Sequence, residues 1–582
     1  MKKSIYILII ANICLFALSG CSEDFLDMKP QTSKSLEVFD SESVIRAYLN
    51  QFYSDESGDI IMNKDAGTDN QGIEPVGFVN DNYIVPSSDG NWTEAYANIR
   101  TVNILLENNN VAEEKSRQLI GEAYFWRAWQ YFNLLKRYGG VPLIENVVQT
   151  NEEAILKTPR SSRSETADFI LQDLDKAIDM MNARDDNRGN QWINKDVALA
   201  FKSRVALYEG TWEKYHAGTD FGIQGSNGSK YLKQAVDAAQ ILMKSGRYDI
   251  WKGSAQPYTD LFIQEDLSSN PEVIWWKEYN LKDQFVTRMM TIWGGYVTKN
   301  FVDAYLEDDG TPIAVNSGDN PASGTSYYWV TESDMYENRD PRLVQTILLS
   351  EDIVNGTKKK NLPGNQSFTL TLRKYYVDDP ERRYGDDASN SGEIFFRYAE
   401  VLLNFLEAKA ELEDLGEAGY QVTDEDIDAT VKLLRDRVEW SAWTNGSSLA
   451  DFEKGGAEDV PLLKFQRNSL TGGKADLIHA IRRERRVELV AEGFRWDDLM
   501  RWKMGNYLRN YVNRGNTKNV MYEINATEAQ KPAYYYDENE FSYTAIWEGI
   551  DGLNFKENKS YLYPIPFRQI QLADYEQNPG WK

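Results

Sequence analysis

The stretch Ile481–Trp502, IRRERRVELVAEGFRWDDLMRW, holds six arginines, five carboxylates and two tryptophans in 22 residues. At helical pitch Ile478, Ile481, Arg485, Leu489, Glu492 and Trp496 step by three or four and share one stripe. A core-facing stripe is normally apolar, and an uncompensated buried charge is costly, so an Arg and a Glu there must be paired. The reading is a helix, Lys474–Lys503, locked to the rest of the chain by an ion-pair network of Glu484, Arg485, Glu488, Glu492 and Arg495.

Working outward, other segments show the same pitch. Helices are expected at Ser41–Tyr53, Asn91–Asn110, Glu113–Tyr138, Ser164–Met181, Asn194–Glu213 and Tyr231–Ser245, then at Glu393–Leu412 and Asp424–Val438. In the longest, Ile120, Tyr124, Ala128, Tyr131, Leu135 and Tyr138 recur every three or four residues; Gly139-Gly140 and Pro142 end it. Paired helices of this length suggest a tetratricopeptide-like stack, although the strict 34-residue signature is missing. Between them lie loop-rich regions: Asp55–Asn91, and the insertion 247–390, which is dominated by Gly, Asn, Asp and aromatics with short strand-like runs at Glu272–Tyr279 and Ser367–Tyr376. The expected organisation is a segment 1–20 that is removed, then one α-rich domain over 21–582. That domain comprises a tether (21–40), the insertion (247–390), and C-terminal helices with an irregular tail (393–582).

Composition narrows the chemistry. The 582 residues carry a formal charge of −26, which becomes −28 once Lys2 and Lys3 are removed. That field disfavours nucleic acid and strongly anionic polymers. Two histidines, and two cysteines confined to Cys14 and Cys21, leave the body without a disulfide, a Cys zinc site or a thiol nucleophile. Thr471-Gly472-Gly473-Lys474 is no phosphate loop, because Asn468 and Ala475 stand where Gly and Ser/Thr are needed. The acidic residues single out no carboxylate pair. Asp308–Asn320 is a candidate for a structural calcium ion, although it lacks EF-hand spacing. No cofactor is expected.

Residues 1–20 read as a secretory signal, with Lys2 and Lys3 ahead of an apolar run from Ile5 to Leu18. Leu18-Ser19-Gly20-Cys21 looks like a lipobox, making Cys21 the acylated N-terminus; a short transmembrane anchor or ordinary secretion is the alternative. Ser22-Glu23-Asp24 resembles the acidic tag of Bacteroidetes lipoproteins exported to the outer face of the outer membrane.

Several segments together resemble the SusD/RagB family of Bacteroidetes outer-membrane lipoproteins. They are Gly121-Glu122-Ala123, Arg127-Ala128, Tyr131-Phe132 and Tyr138 through Leu143; then Asp173-Leu174 and Ala177-Ile178. Asn338 through Arg342, Arg397 through Leu403, the Glu484–Trp502 set, Tyr563-Pro564-Ile565-Pro566 and Gln577 through Trp581 follow in order. The resemblance implies a mostly α fold in which four tetratricopeptide-type helix pairs support a loop-rich ligand-binding face. It also implies a non-enzymatic, lipid-anchored surface protein that captures neutral oligo- or polysaccharide and delivers it to a SusC-like TonB-dependent transporter. A lipid-anchored glycoside hydrolase, or a structural subunit of the transporter without sugar contact, are the alternatives.

Sugar binding needs uncovered aromatic faces beside side chains that hydrogen-bond hydroxyls. The first candidates are Trp293 and Tyr296 in the WGGY run, then Tyr328 and Trp329 after a Gly/Ser-rich loop. Asp65 and Asn70 in the early loop, Trp92 beside it, and Arg373 and Tyr398 across the same face are the polar and supporting candidates. Each has a bland alternative in core packing or simple solvation.

Overall fold

The computed structural model describes residues 39–55, 63–71, 83–148, 157–184, 189–282, 287–288, 297–312, 336–349, 351–354, 357–358, 371–384, 388–440, 448–456, 474–505, 508, 520–522, 535–536, 542–545 and 555–581. The chain is mostly helical. The principal helices are α1 (Glu42–Asp55), α2 (Gly90–Asn108), α3 (Glu113–Tyr138), α4 (Arg163–Met180), α5 (Lys195–Tyr215), α6 (Ser229–Lys244), α7 (Tyr398–Asp414), α8 (Ala475–Glu488) and α9 (Arg495–Arg501).

Helices α2 to α6 pack each on the next; α6 then packs on α7, α7 on α8, and α9 returns to α5. The sequence explains the ends. Acidic Glu113 and Glu114 open α3 and basic Lys136 and Arg137 close it, both complementing the helix dipole. Gly139 then takes a positive φ of 76°. Gly140 is required by close approach, since a Cβ there would stand 2.1 Å from the Ser161 carbonyl oxygen. Asn194 caps α5 by accepting from the N–H groups of Asp196 and Val197. The cap of α4 is Ser162 rather than Ser164, in a reciprocal box with Glu165.

The long apolar faces meet in one aromatic-rich core, with Trp126, Trp212, Trp276 and Trp502 fully buried. Strand β1 (Val273–Lys277) pairs antiparallel with β2 (Glu393–Arg397), Trp276 opposite Ile394 and Lys277 opposite Glu393. The helix expected from Glu393 therefore starts only at Tyr398. The preceding EIFFR carries β-favouring Ile and Phe, which the 3.6 periodicity test absorbed into the helix. Likewise Asp424–Val438 divides into Asp424–Asp428 and Val431–Asp436. Among the described residues, no helix is long and apolar enough to cross a membrane.

The late helix is also not continuous. Helix α8 ends at Glu488, and Ala491 (φ 58°) and Gly493 (φ 87°) turn through left-handed geometry before α9 begins. A non-glycine residue with such a φ needs outside support. Here the Asp65 carboxylate supplies it, accepting from the Ala491 N–H at 2.8 Å and the Gly493 N–H at 3.2 Å.

Candidate functional site: a clamped loop root beside a polar cleft

The arginine-rich stretch builds two things. The first is a charged interior centred on Glu488, which receives Arg397 at 2.7 Å, Arg437 at 2.8 Å and Arg342 at 3.2 Å. One turn earlier Glu484 holds Arg342 at 2.6 Å and Arg435 at 2.7 Å. One turn later Glu492 holds Arg397 at 2.7 Å and Lys374 at 2.6 Å. Burial pushes the Glu488 carboxyl up, but Arg437, Arg397 and Arg342 outweigh it and hold the group down at about 2. Burial drives the Lys374 ammonium down to about 8 despite Glu492. Arg485 meets Asp498 at 2.8 Å and Asn404 at 2.8 Å; Arg501 shares Asp498 and pairs with Glu407. These contacts tie α8 and α9 to α7.

The second is a clamp on residues 63–71. Arg495 takes the Asp69 carboxylate in two bonds, at 2.7 and 2.8 Å. Arg486 reaches Asn70 Oδ1 at 2.7 Å and Asp69 at 3.1 Å. Burial raises the Asp69 carboxyl, yet Arg486 and Arg495 leave it below its ordinary value. At the end of the segment, Gln71 bridges Val297, and Thr298 donates to the backbone of Asp69 and Asn70. The backbone leaving Gln71 and the backbone arriving at Val297 are thus fixed side by side at one rigid root.

Beside this root opens a cleft of about 920 Å³ bordered by α2, α3, α9, the tail and Lys64–Ala66. Asn91, Glu94 and Asn98 line it from α2, and Gln130, Asn133 and Arg137 from α3. Each set has the i, i+3, i+7 spacing of one helix face. Trp496, Tyr561 and Tyr563 contribute apolar and aromatic surface.

The structure separates the sequence candidates. Asp65 and Asn70 are each 1% exposed and bonded to one another, Asp65 also to the turn after α8 and Asn70 to Arg486 of α8, so they are structural pins rather than ligand-facing groups. Trp92 is 4% exposed, packed against Tyr96 and Tyr138. Tyr398 is buried on Tyr248, and burial pushes its hydroxyl up to about 12. All four expectations of ligand contact are corrected on the same ground: the chain already surrounds these groups. Arg373 stays partly open but is held by Asp352 at 2.8 Å. Trp293, Tyr296, Tyr328, Trp329 and Cys21 lie outside the described residues, as does most of Asp308–Asn320. Glu484, Arg485, Glu488 and Arg495 are buried and, with Glu492, paired as described. The cleft residues were missed by sequence reasoning. Their only signal is a polar stripe on each of two helices, the pattern of any solvated face.

This scaffold defines a class: a helical stack whose C-terminal charged helices clamp the point where Gln71 and Val297 meet. The description "SusD family" matches residues 266–581, and "Starch-binding associating with outer membrane" matches residues 24–207. The first match spans more than half of the chain, which therefore belongs to the SusD family. SusD-like protein P38 of Formosa agariphila is 26% identical over 532 residues, covering 86% of this chain and 91% of that protein. A SusD-like protein from Bacteroides fragilis has the same fold at 24% identity and a TM-score of 0.67, covering 94% of this chain and 99% of its own. A laminarin binding SusD-like protein is similar at 19% identity and a TM-score of 0.53, over 93% and 100% of the two chains.

Proposed function

We propose that this chain is a surface lipoprotein of the outer membrane, acylated at Cys21, that binds a neutral glycan and passes it to a SusC-like TonB-dependent transporter. Family membership across the chain carries the reading. It is supported by one structural observation, the shared root at Gln71 and Val297, from which residues 72–82 and 289–296 depart. Trp293 and Tyr296 stand in the second of these segments and are the proposed stacking residues; Tyr328 and Trp329 are the next candidates. Helices α2 to α6 form part of a tetratricopeptide-type support, and the protein binds without cleaving.

Calorimetry against a panel of neutral oligosaccharides tests this. One ligand is expected to bind, and Trp293→Ala to weaken it about tenfold, roughly 1.4 kcal/mol. No binding across the panel overturns the glycan reading; shortening of the glycan on incubation overturns the non-catalytic one. Radiolabelled palmitate should enter the wild type and not Cys21→Ser. Co-purification with the transporter tests the partner.

A further inference from the structure

We propose that the cleft between α2 and α3 is a second saccharide subsite, remote in sequence from the loop aromatics, that takes a neutral, hydroxyl-rich stretch of the glycan. The inference rests on the glycan-binding reading above.

Four lining side chains are uncommitted. Glu94, Asn98, Gln130 and Asn133 make no hydrogen bond or ion pair with any described residue. For exposed Asn133 and Glu94 that is ordinary. Gln130 is only 8% exposed as a residue, and its carboxamide, which bonds to no described residue, keeps its polar end open to the cleft. A mostly buried side chain whose polar end is left open on a rigid wall marks a place where water or a ligand completes the bonding. Each carboxamide offers two donors and an acceptor oxygen with two lone pairs, matching hydroxyl groups that both donate and accept.

Charge selects the ligand class. The cleft's three cations are each neutralised: Lys64 by Glu393 at 2.7 Å, Lys136 by Asp497 at 2.9 Å and Arg137 by Asp89 at 3.0 Å. Glu94 adds an unbalanced negative charge. A phosphate, sulfate or uronate would find no free cation and one repelling carboxylate; a neutral polyol meets the carboxamides and can donate its hydroxyls to Glu94. The cleft volume, about 920 Å³, lies within the range of small-molecule sites. The walls are two long helices in mutual contact, so the carboxamides are held without loop ordering. Lys64 and Ala66, which border the cleft, belong to the segment 63–71 that ends at the Gln71–Val297 bridge.

The test uses the detergent-solubilised full chain with neutral gluco-, manno- and xylo-hexasaccharides as probes. For the hexasaccharide that the wild type binds, Asn98→Ala/Asn133→Ala is expected to bind at least fivefold more weakly. Independently, Asn98→Cys labelled with a small environment-sensitive fluorophore should change emission on titration, against identically treated wild type. Affinity within twofold of wild type, or a silent fluorophore, overturns the second subsite while leaving the loop reading intact. If the wild type binds none of the probes, both readings fall together.

Discussion

The interior around Glu488 and the cleft between α2 and α3 are both rich in polar side chains, and they use them in opposite ways. In the interior, Glu272, Glu484, Glu488 and Glu492 each face at least one buried cation within 3 Å. Every one of these carboxylates is paired inside the fold. In the cleft, carboxamides stand with capacity unused. Polarity alone therefore does not mark a binding site; polar groups left open on a rigid wall do. A buried, densely paired network resists change because removing one member strands the others in low dielectric. An unsaturated wall tolerates change in the free protein.

The sharpest way to break the comparison is Arg397→Ala. Arg397 is 1% exposed and contacts Glu272, Glu488 and Glu492 together. Its loss should cost about 3–5 kcal/mol in denaturant unfolding, the range for breaking a buried pair. A cost under about 1 kcal/mol would show that the interior is not a closed network.

How much of this was legible in advance follows from which physical signals are local. The helix Glu113–Tyr138 was readable to the residue, because periodicity, end charges and Gly139 agree. The ion-pairing of Arg485 and Glu488 was readable because charge on an apolar stripe admits few other outcomes. The turn at Ala491 was not, since its support comes from Asp65, more than 400 positions away. Asp65 and Asn70 misled for the same reason: a Gly/Asp/Asn-rich loop looks solvated until the arginines that bury it are placed in space. The cleft was invisible because a helical polar stripe reads alike whether it faces solvent or a partner helix.

Acid should dissolve the closed network next. Glu488 sits at about 2 in the fold against an ordinary value of 4.5. A depressed carboxyl contributes stability that is present above 4.5 and lost as pH falls toward 2, here about 3 kcal/mol. Glu484 and Glu492 are also lowered, although burial opposes their arginine and lysine partners, and they steepen the same limb. Unfolding free energy measured from pH 6 to pH 2 should fall through that window, and Glu488→Gln should flatten the decline. An unchanged slope in Glu488→Gln would place the acid sensitivity elsewhere.

Within the arginine stretch a finer contrast separates Arg485 from its neighbour Arg486. Arg485 braces Asp498 and Asn404 inside the scaffold, with Arg501 still present to share Asp498. Arg485→Ala should cost about 2 kcal/mol of stability and leave glycan affinity in the folded protein unchanged. Arg486 instead holds Asn70 and Asp69, with Arg495 still present. Arg486→Ala should cost about 1 kcal/mol and weaken glycan binding severalfold by loosening the loop root. Equal effects of the two on affinity would erase the distinction between scaffold and root.

The smallest effect on stability is expected where the wall is unsaturated. Asn98→Ala/Asn133→Ala removes two side chains that bond to no described residue, so no partner is stranded. Unfolding free energy should stay within about 0.5 kcal/mol of wild type, as for surface substitutions that touch nothing. Gln130→Ala is the stricter case. Gln130 is a buried residue, at 8% exposed, yet among the described residues it has no bonding partner. If burial alone set the cost, its removal would destabilise like an interior member; if unsatisfied polarity is the relevant quantity, removal is neutral or slightly stabilising. Thermal unfolding of Gln130→Ala without sugar therefore decides whether the two regions differ in bonding or only in depth.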